Sequence, residues 1–194
     1  LRYPLVFGSD MANQFSQRLQ LIQDSPIEKV PFRFWGVDAR GTAFLVTDFA
    51  RGGNIFAPSL NLTQLQGLFL QMADSVAALH AQGQVLSDIC AESFFIDPTG
   101  RPRLWALLGP FESGAKQTAA LPPAETLHFV APEQRSLSAI DPTIDVFALG
   151  ILGYRLFTGR YPLAGRQLTA ENIPDVTAVA PAPVTLRPEL PVWT

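Results

Sequence analysis

The sequence predicts an α+β domain that contains three helices and two β-hairpins. Apolar residues recur at helical spacing in three stretches, and two pairs of short β-branched and aromatic runs are each separated by turn residues. These elements are segregated along the chain instead of alternating regularly, which is typical of α+β folds. With 47% hydrophobic and 16% charged residues, the chain has the composition of a globular domain.

The first helix and the first hairpin are predicted before residue 50. Residues 11–23 have apolar side chains at spacings of 4 and 3 residues, and the helix ends before Pro26. The runs FRFWGVD and TAFLVTDFA follow and meet at a turn that contains Gly41, so they are predicted to form the hairpin. The apolar positions of the helix are Phe15, Leu19 and Ile22.

The clearest helix is predicted at residues 63–81. Thr63 and Gln66 have the spacing of a capping box at its start, and Gly83 is a suitable residue to end it. Its apolar side chains form one stripe at spacings of 4, 3, 4 and 3 residues, as expected for a helix with one face in the core. The stripe consists of Leu65, Phe69, Met72, Val76 and Leu79.

The second half of the chain is predicted to contain a hairpin, a loop, a helix and a tail. ESFFID and RPRLWALL flank a turn at Gly100 and form the hairpin. Residues 110–126 lack periodicity and form a loop long enough to be functional or mobile. Residues 144–158 are nearly all apolar, which predicts a buried central helix ending at Gly159. The five prolines between residues 174 and 191 predict an extended, linker-like tail.

Composition and charge exclude several classes of function. The net charge of −3 and the absence of a basic block argue against nucleic-acid binding. Cys90 is the only cysteine, and His80 and His128 are far apart, so no metal site is expected. No apolar run reaches the roughly 18–20 residues of a membrane span, and no secretory pattern opens the chain. We therefore expect a cytoplasmic domain that is a piece of a longer protein. The only lysines in the 194-residue sequence are Lys29 and Lys116.

Three short segments have the spacing of motifs that protein kinases use. The segment LSD ends at Asp88 and is followed five residues later by Ser93; ALL begins at Ala106, and APE ends at Glu133. Protein kinases have H-R-D with an Asn five residues after the Asp, then D-F-G, then A-P-E. The chain therefore resembles a Ser/Thr protein kinase domain over about residues 2–165.

Two further segments support the resemblance. Twelve residues beyond Glu133, Asp145 opens DVFALGILGYRLF, which resembles the buried kinase helix whose leading Asp braces the catalytic loop. FLVTDFARGG resembles the kinase hinge, with Thr47 at the gatekeeper position. The family's structural motif positions here are Ala131, Pro132, Glu133 and Asp145.

The resemblance implies a protein kinase-like fold with a particular division of the chain. Residues 1–50 correspond to a partial small lobe, made of one helix and the β-hairpin, and end in the hinge strand. Residues 51–170 correspond to a mainly helical large lobe that stops before its last helices. Residues 171–194 form a Pro-rich C-terminal segment.

The family's metal ligands are replaced in this sequence. Kinases hold two Mg²⁺ ions with the D-F-G Asp and the catalytic-loop Asn. Ala106 cannot ligate a metal, and Ser93 offers a neutral hydroxyl where the family has an amide oxygen. Asp88 keeps the position of the base, but Cys90 stands where a basic residue is expected. The resemblance therefore implies no bound metal and a vestigial base at Asp88.

The nucleotide-binding positions are also altered. Phe95 corresponds to the kinase residue that lies under the adenine ring, where it either stacks on a base or fills the pocket and closes it. Gln17 or Arg18 occupies the helix position that pairs with the strand lysine, which would itself fall at or before residues 1–2. The resemblance implies no cofactor, or ATP bound without Mg²⁺. The hinge positions are Thr47, Asp48, Phe49 and Ala50.

Three functions follow from the resemblance. The first is a catalytically inactive kinase-like domain that binds a protein partner or a neighbouring domain of the same chain. The second is an atypical, active Ser/Thr kinase, for which Glu92 and Asp97 are the nearest carboxylates that could replace the missing metal ligands. The third is a module that senses ATP without hydrolysing it.

Overall fold

The fold was analysed in a computed structural model. The structure describes residues 9–25, 27–38, 43–49, 52–56, 59–105, 111–112, 124–136, 140–162 and 180–191. Within these ranges, helices and short antiparallel strands form the predicted α+β architecture. None of the helices in the described ranges is both long and apolar enough to cross a membrane.

The small lobe contains the predicted helix and hairpin. Helix α1 spans Ser9–Asp24, two residues longer at its start and one at its end than the sequence predicts. Strands β1 (Phe32–Val37) and β2 (Ala43–Thr47) pair antiparallel. Leu19 and Ile22 of α1 are fully buried, which confirms the apolar face that their spacing indicates.

Helix α2 begins earlier than predicted and has a different cap. It spans Leu62–His80, and Asn61 is the N-cap residue. The Asn61 side chain accepts a hydrogen bond from the Gln64 amide at 2.9 Å, and the Gln64 side chain accepts one from the Asn61 amide at 3.0 Å. The capping box predicted for Thr63 and Gln66 is therefore wrong, although the type of cap is right. Gly83 lies beyond the helix end, with a φ of 71°.

Short strands connect the middle of the chain. The second predicted hairpin is present as β5 (Phe94–Ile96) and β6 (Pro102–Leu104), and β3 (Gly53–Asn54) pairs with β5 at its other edge. Strand β4 (Gln84–Val85) pairs with β7 (Phe111–Glu112). The prediction that residues 110–126 form only a loop is wrong at both ends. Strand β7 lies at the start of this range, and a 3-10 helix begins at residue 124.

Helix α3 is the second long helix of the large lobe. It spans Pro142–Thr158, with Asp141 as its N-cap and Gly159 ending it at a φ of 75°. One face packs into the core, where Leu152 is fully buried. The prediction of a buried central helix holds for this face only, because Val146 is 60% exposed.

The Pro-rich tail is packed against α3 where the structure describes it. Helix α4 (Pro183–Leu186) is a single turn, and the Tyr154 hydroxyl of α3 donates to the Pro181 carbonyl at 2.8 Å. Arg187 donates to the Phe157 carbonyl at 3.2 Å, and Leu190 is buried. The expectation of an extended linker therefore does not hold for residues 180–191.

The segment after α1 connects the small lobe to the β5–β6 hairpin. The Val30 amide donates to the Leu104 carbonyl at 3.1 Å, and the Leu104 amide donates to the Glu28 carbonyl at 3.0 Å. Arg103 forms ion pairs with Glu28 and with Asp97. One hydrophobic core then runs from α1 across this hairpin to α2 and α3.

Candidate functional site

The segment between β4 and β5 is held in place by a buried carboxylate. Asp145 lies in the first turn of α3 and is fully buried. Its two oxygens accept hydrogen bonds from the Leu86 amide at 2.8 Å and the Ser87 amide at 2.7 Å. The imidazole Nε2 of His80 lies 2.8 Å from the same carboxylate. These contacts fix the start of the segment that ends in Ser93, which we call the catalytic-loop segment (residues 86–93).

The APE segment is bound to the same loop through a glutamine. The side chain of Gln134 accepts a hydrogen bond from the Ala131 amide at 2.7 Å and donates to the Ser87 carbonyl at 3.0 Å. Ala131 and Gln134 are buried, so these bonds are shielded from water. Ser87 has a φ of 62°, a left-handed conformation that a non-glycine residue rarely adopts. The Gln134 bond helps to hold Ser87 in that conformation.

The other members of the APE motif are partly exposed. Pro132 and Glu133 open the 3-10 helix Pro132–Ser136 and are half-buried. The Thr143 hydroxyl donates to the Glu133 carboxylate at 3.3 Å, which connects the APE segment to the start of α3. The motif therefore lies against both the catalytic-loop segment and the helix that braces it.

Ser93 is engaged by its own loop. Its buried hydroxyl oxygen accepts a hydrogen bond from the Cys90 amide at 3.0 Å and lies 3.5 Å from the Asp88 carbonyl. Its carbonyl accepts from the Trp105 amide at 2.7 Å, which brings the residue before Ala106 next to it. Asp88 is half-buried, and Ala106 lies outside the described residues.

Cys90 is a neutral thiol in this setting. Burial raises its pKa to about 11, although a hydrogen bond with Ser93 acts in the opposite direction. A thiol with so high a pKa remains protonated at neutral pH and supplies neither charge nor a strong nucleophile. The position therefore offers no positive charge to the loop.

Glu92 and Asp97 are the carboxylates that could replace the missing metal ligands. Asp97 accepts hydrogen bonds from the Thr99 amide at 2.8 Å and from Arg103 at 2.8 Å. Burial acts to raise the pKa of Asp97, but the hydrogen bonds from Thr99 and the Arg101 amide together hold it below its usual value. Glu92 is exposed. In the described part of the chain, no three His, Cys, Asp or Glu side chains are grouped as metal ligands would be.

Lys29 is not placed to act on a phosphate. Its ammonium group donates to the Ser25 carbonyl at 2.5 Å, just after the end of α1. Burial lowers the pKa of Lys29, while the nearby Asp24 raises it. The side chain thus satisfies a carbonyl at the helix end. Lys116 lies outside the described residues.

The hinge positions lie at the end of β2. The Asp48 amide donates to the Pro31 carbonyl at 3.1 Å, and its carboxylate forms a two-point ion pair with Arg33. The hydrogen bond from Arg33 lowers the pKa of Asp48, so this side chain is ionised. Thr47 is half-buried, whereas Phe49 is 87% exposed. Ala50 lies outside the described residues.

Phe95 lies against the backbone that follows the hinge. It is half-buried in β5 and pairs with Asn54 of β3. A Cβ atom built on Gly52 would lie 2.8 Å from the Phe95 ring and 2.0 Å from the Ile96 carbonyl oxygen. Gly52 is therefore required for the close approach of these two strands, and the Phe95 ring contacts the chain at that point.

Sequence reasoning missed three residues that organise this site. They are His80, which the sequence shows only as an isolated histidine, Gln134, which directly follows the APE motif, and Gly52, which follows the hinge positions. Each acts on a partner that is distant in sequence, so local patterns contain no signal for it. The one available clue is that Gln134 follows three motif residues in FVAPEQ, where a buried amide needs a partner.

Comparisons with known proteins identify the family. Residues 33–193 match the family model described as protein kinase domain, which is more than half of the chain. The chain therefore belongs to the protein kinase family. The match begins later than the predicted resemblance and continues into the Pro-rich tail. The kinase PK-1 of Cydia pomonella granulovirus superposes with a TM-score of 0.67 at 17% identity, over 96% of this chain and 66% of that one, which shows the shared fold.

Curated relatives are Ser/Thr kinases at low identity. The Ser/Thr-protein kinase Pkn1 of Myxococcus xanthus is 25% identical over 75% of this chain and 22% of its own length. Ribosomal protein S6 kinase alpha-1 of Mus musculus is 31% identical over 67% of this chain and 19% of its own. Ser/Thr-protein kinase PknA of Mycobacterium tuberculosis is 27% identical over 64% and 30%. The chain thus spans less than a third of the length of these relatives.

Proposed function

We propose that this chain is a catalytically inactive protein kinase-like domain that acts by binding proteins. The observation that supports this is the state of the two metal-ligand positions. The Ser93 hydroxyl is buried and engaged with Cys90 and Asp88, and the Ala106 side chain has no atom that binds a metal. These residues do not fit the Mg²⁺ ions that phosphoryl transfer in kinases requires.

Asp88 has no reaction to assist if the metal ions are missing. A base only helps when the phosphate charge is neutralised, and each lost electrostatic donor costs on the order of 3 kcal/mol of transition-state stabilisation. Cys90 is neutral, so it does not replace a basic neighbour. Asp97, one of the carboxylates considered for an active kinase, is already bonded to Thr99 and Arg103. These facts favour inactivity over an atypical kinase.

The packing of Phe95 against Gly52 favours a closed adenine pocket over ATP sensing. Titration of the full chain with ATP, with and without Mg²⁺, in a thermal-shift experiment tests this. Saturation at one hundred times Kd would stabilise the fold by roughly 3 kcal/mol. We expect a flat response at millimolar ATP; a dose-dependent rise in Tm would instead support nucleotide binding without turnover.

The direct test of inactivity is phosphoryl transfer from radiolabelled ATP in the presence of Mg²⁺ or Mn²⁺. We expect no transfer by the full chain. The double variant Ser93→Asn, Ala106→Asp restores the family's metal ligands and is measured beside the natural sequence as a gain-of-function comparison. Asp88→Ala, which removes the residue at the base position, is the matched control. Robust transfer by the natural sequence that Asp88→Ala abolishes would sink the proposal.

The proposed role is that of a regulatory module within a larger cytoplasmic protein. The relatives extend well beyond the matched stretch, and Pkn1 is covered over only 22% of its length. The domain keeps the braced loop and the APE segment but lacks the metal ligands. We therefore propose that it binds a neighbouring domain of the same chain or a second protein. Crosslinking of the full-length protein followed by mass spectrometry distinguishes these two partners.

A further inference from the structure

An arginine at the end of α3 is stacked between aromatic rings. The Arg155 guanidinium lies 4.1 Å from the centre of the Phe56 ring and 4.3 Å from that of Tyr161. On the far side of Tyr161, the His128 ring is parallel to within 3° at a centroid distance of 4.1 Å. Phe129 meets Tyr161 edge-on at 5.8 Å. We call the first four residues the Arg155 stack; they come from three separate segments of the chain.

The stack orders Arg155, and no carboxylate of the described residues pairs with its charge. Within the described ranges, no Asp or Glu forms an ion pair with Arg155. The guanidinium lies over the rings of Phe56 and Tyr161, and its planar group has five N–H donors. Arg155 lies in the last turn of α3, where the helix carbonyls favour a cation. That diffuse field supplies no acceptor to the guanidinium edge.

One further donor lies beside the arginine, and a second lies beyond the Tyr161 ring. Arg155 donates a hydrogen bond to the Tyr161 hydroxyl oxygen, so the hydroxyl proton is directed elsewhere and can be donated. His128 lies next in the stack, and burial, followed by the charge of Arg155, lowers its pKa. The charge of a bound anion would act in the opposite direction and raise this pKa. All three side chains are half-buried, so each keeps part of its surface exposed.

We propose that the Arg155 stack binds the phosphate of a phosphoserine or phosphothreonine in a partner protein. Arginine suits phosphate because its planar donors match two oxygens at once. The rings of Phe56 and Tyr161 would contact the carbon atoms of the phosphorylated residue, which inorganic phosphate lacks. The chain as a whole has a net charge of −3, so the proposed binding would depend on these side chains and not on a general positive field. This inference rests on the proposed role in protein binding and names the chemistry of the partner.

Fluorescence anisotropy of the full chain tests the proposal. The probes are three labelled nonapeptide pools with random flanks and a central phosphoserine, serine or glutamate, and inorganic phosphate is the competitor. We expect the phosphoserine pool to bind at least tenfold more tightly than the serine pool. Arg155→Met, which keeps side-chain length between the rings, should weaken that binding at least tenfold. Arg160→Met removes the same charge from an exposed position five residues away and should leave it unchanged.

Tyr161→Phe keeps the ring and the stack and removes the hydroxyl, so it should weaken binding severalfold even if Arg155→Met unfolds. Equal affinity for the phosphoserine and serine pools, or the same affinity in Arg155→Met, Tyr161→Phe and the natural sequence, overturns the proposal. If inorganic phosphate at the concentration of the peptide competes fully, the site binds free phosphate, and the proposal that the phosphate belongs to a peptide is wrong. Phosphoryl transfer is measured separately, so a failure of inactivity and a failure of phosphopeptide binding are told apart.

Discussion

At the scale of single residues, one buried carboxylate organises the loop that catalyses phosphoryl transfer in other kinases. Asp145 accepts two backbone amides of that loop, and His80 lies beside it although the two are 65 residues apart. The sequence indicates Asp145 through its distance from Glu133 and the apolar run that follows. It contains no comparable signal for His80, because that partner is set by how α2 and α3 pack.

Asp97 makes a pH-dependent contribution to stability. Hydrogen bonds from Thr99 and the Arg101 amide hold its folded-state pKa below the usual value, despite the opposing effect of burial. A carboxyl whose pKa is lower in the folded state stabilises the protein above its ordinary pKa and loses that contribution as the pH falls through the folded-state value. We predict that Asp97→Asn destabilises the chain at pH 7 and that the difference from the natural sequence shrinks below about pH 4.

The measurement is Tm by circular dichroism for both proteins between pH 7 and pH 2.5. The exposed carboxyl of Asp74, which lies on α2, provides the control Asp74→Asn. A difference between Asp97→Asn and the natural sequence that stays constant across this range would contradict the prediction.

At the scale of elements, helix α2 was predicted correctly from the sequence, but its N-cap residue was not. Two overlapping patterns are available, Asn61 with Gln64 and Thr63 with Gln66, and both have the spacing of a capping box. The structure uses the first pair. Which of the two begins the helix depends on how its first turn packs, and the local sequence does not contain that information.

The cap can be tested by a pair of alanine substitutions. Asn61→Ala removes the acceptor for the Gln64 amide and should lower the free energy of unfolding by about 1 kcal/mol. Thr63→Ala, at the exposed position of the sequence-predicted cap, should change it by less than about 0.5 kcal/mol. Urea denaturation of both variants gives the values. A larger loss for Thr63→Ala than for Asn61→Ala would show that the helix starts at the second pair.

Two glycines of α3 report on its packing against α2. A Cβ atom on Gly153 would lie 2.8 Å from the Phe69 ring, whereas one on Gly150 would meet nothing within 4 Å. We predict that Gly153→Ala destabilises the chain by about 1–3 kcal/mol through overpacking. Gly150→Ala should stabilise it by about 0.5–1 kcal/mol, because alanine loses less backbone entropy in a helix.

Urea denaturation compares the free energies of unfolding of these two glycine variants with that of the natural sequence, with the same m value for all three. Each is the control for the other, since they lie in the same helix and add the same methyl group. Equal effects would mean that α2 and α3 are not in contact at Phe69.

At the scale of the whole molecule, the order of the long elements was predictable and their connections were not. Helices and hairpins of many residues have patterns that survive in the sequence. Strands β3, β4 and β7 have two residues each, too few for any periodicity. The tail differs from its prediction for the opposite reason: its prolines indicate a linker, but a buried Leu190 and bonds to Tyr154 and Phe157 hold it on α3.

The candidate site follows the same division. The positions of Asp88, Ser93 and Glu133 could be read from spacing in the sequence, because the family's motifs are local. The Gln134 bond to Ser87, the approach of Gly52 to Phe95 and the stack at Arg155 are contacts between distant segments. They depend on the folded arrangement, and the last of these supports the proposed partner chemistry.

Gln134 connects the APE segment to the catalytic-loop segment, so its loss should destabilise both segments. Gln134→Leu removes the acceptor of the buried Ala131 amide and the donor to the Ser87 carbonyl. The buried Ala131 amide loses its partner at a cost of about 1–3 kcal/mol and the half-buried Ser87 carbonyl at a cost of about 1 kcal/mol, so we predict a loss of about 2–4 kcal/mol in the free energy of unfolding. Gln82→Leu removes a glutamine that bonds a helix carbonyl at an exposed position, where water replaces it, and should be nearly neutral.

Hydrogen exchange by mass spectrometry separates a connection from a local effect. If Gln134 joins the APE segment to the loop, exchange should accelerate together in peptides that cover residues 84–90 and 127–136, because each segment loses a support that the other provided. Faster exchange in residues 127–136 alone would mean that Asp145 holds the loop by itself. In that case the left-handed Ser87 is maintained from the α3 side, and the APE segment is a neighbour of the loop without being part of what holds it.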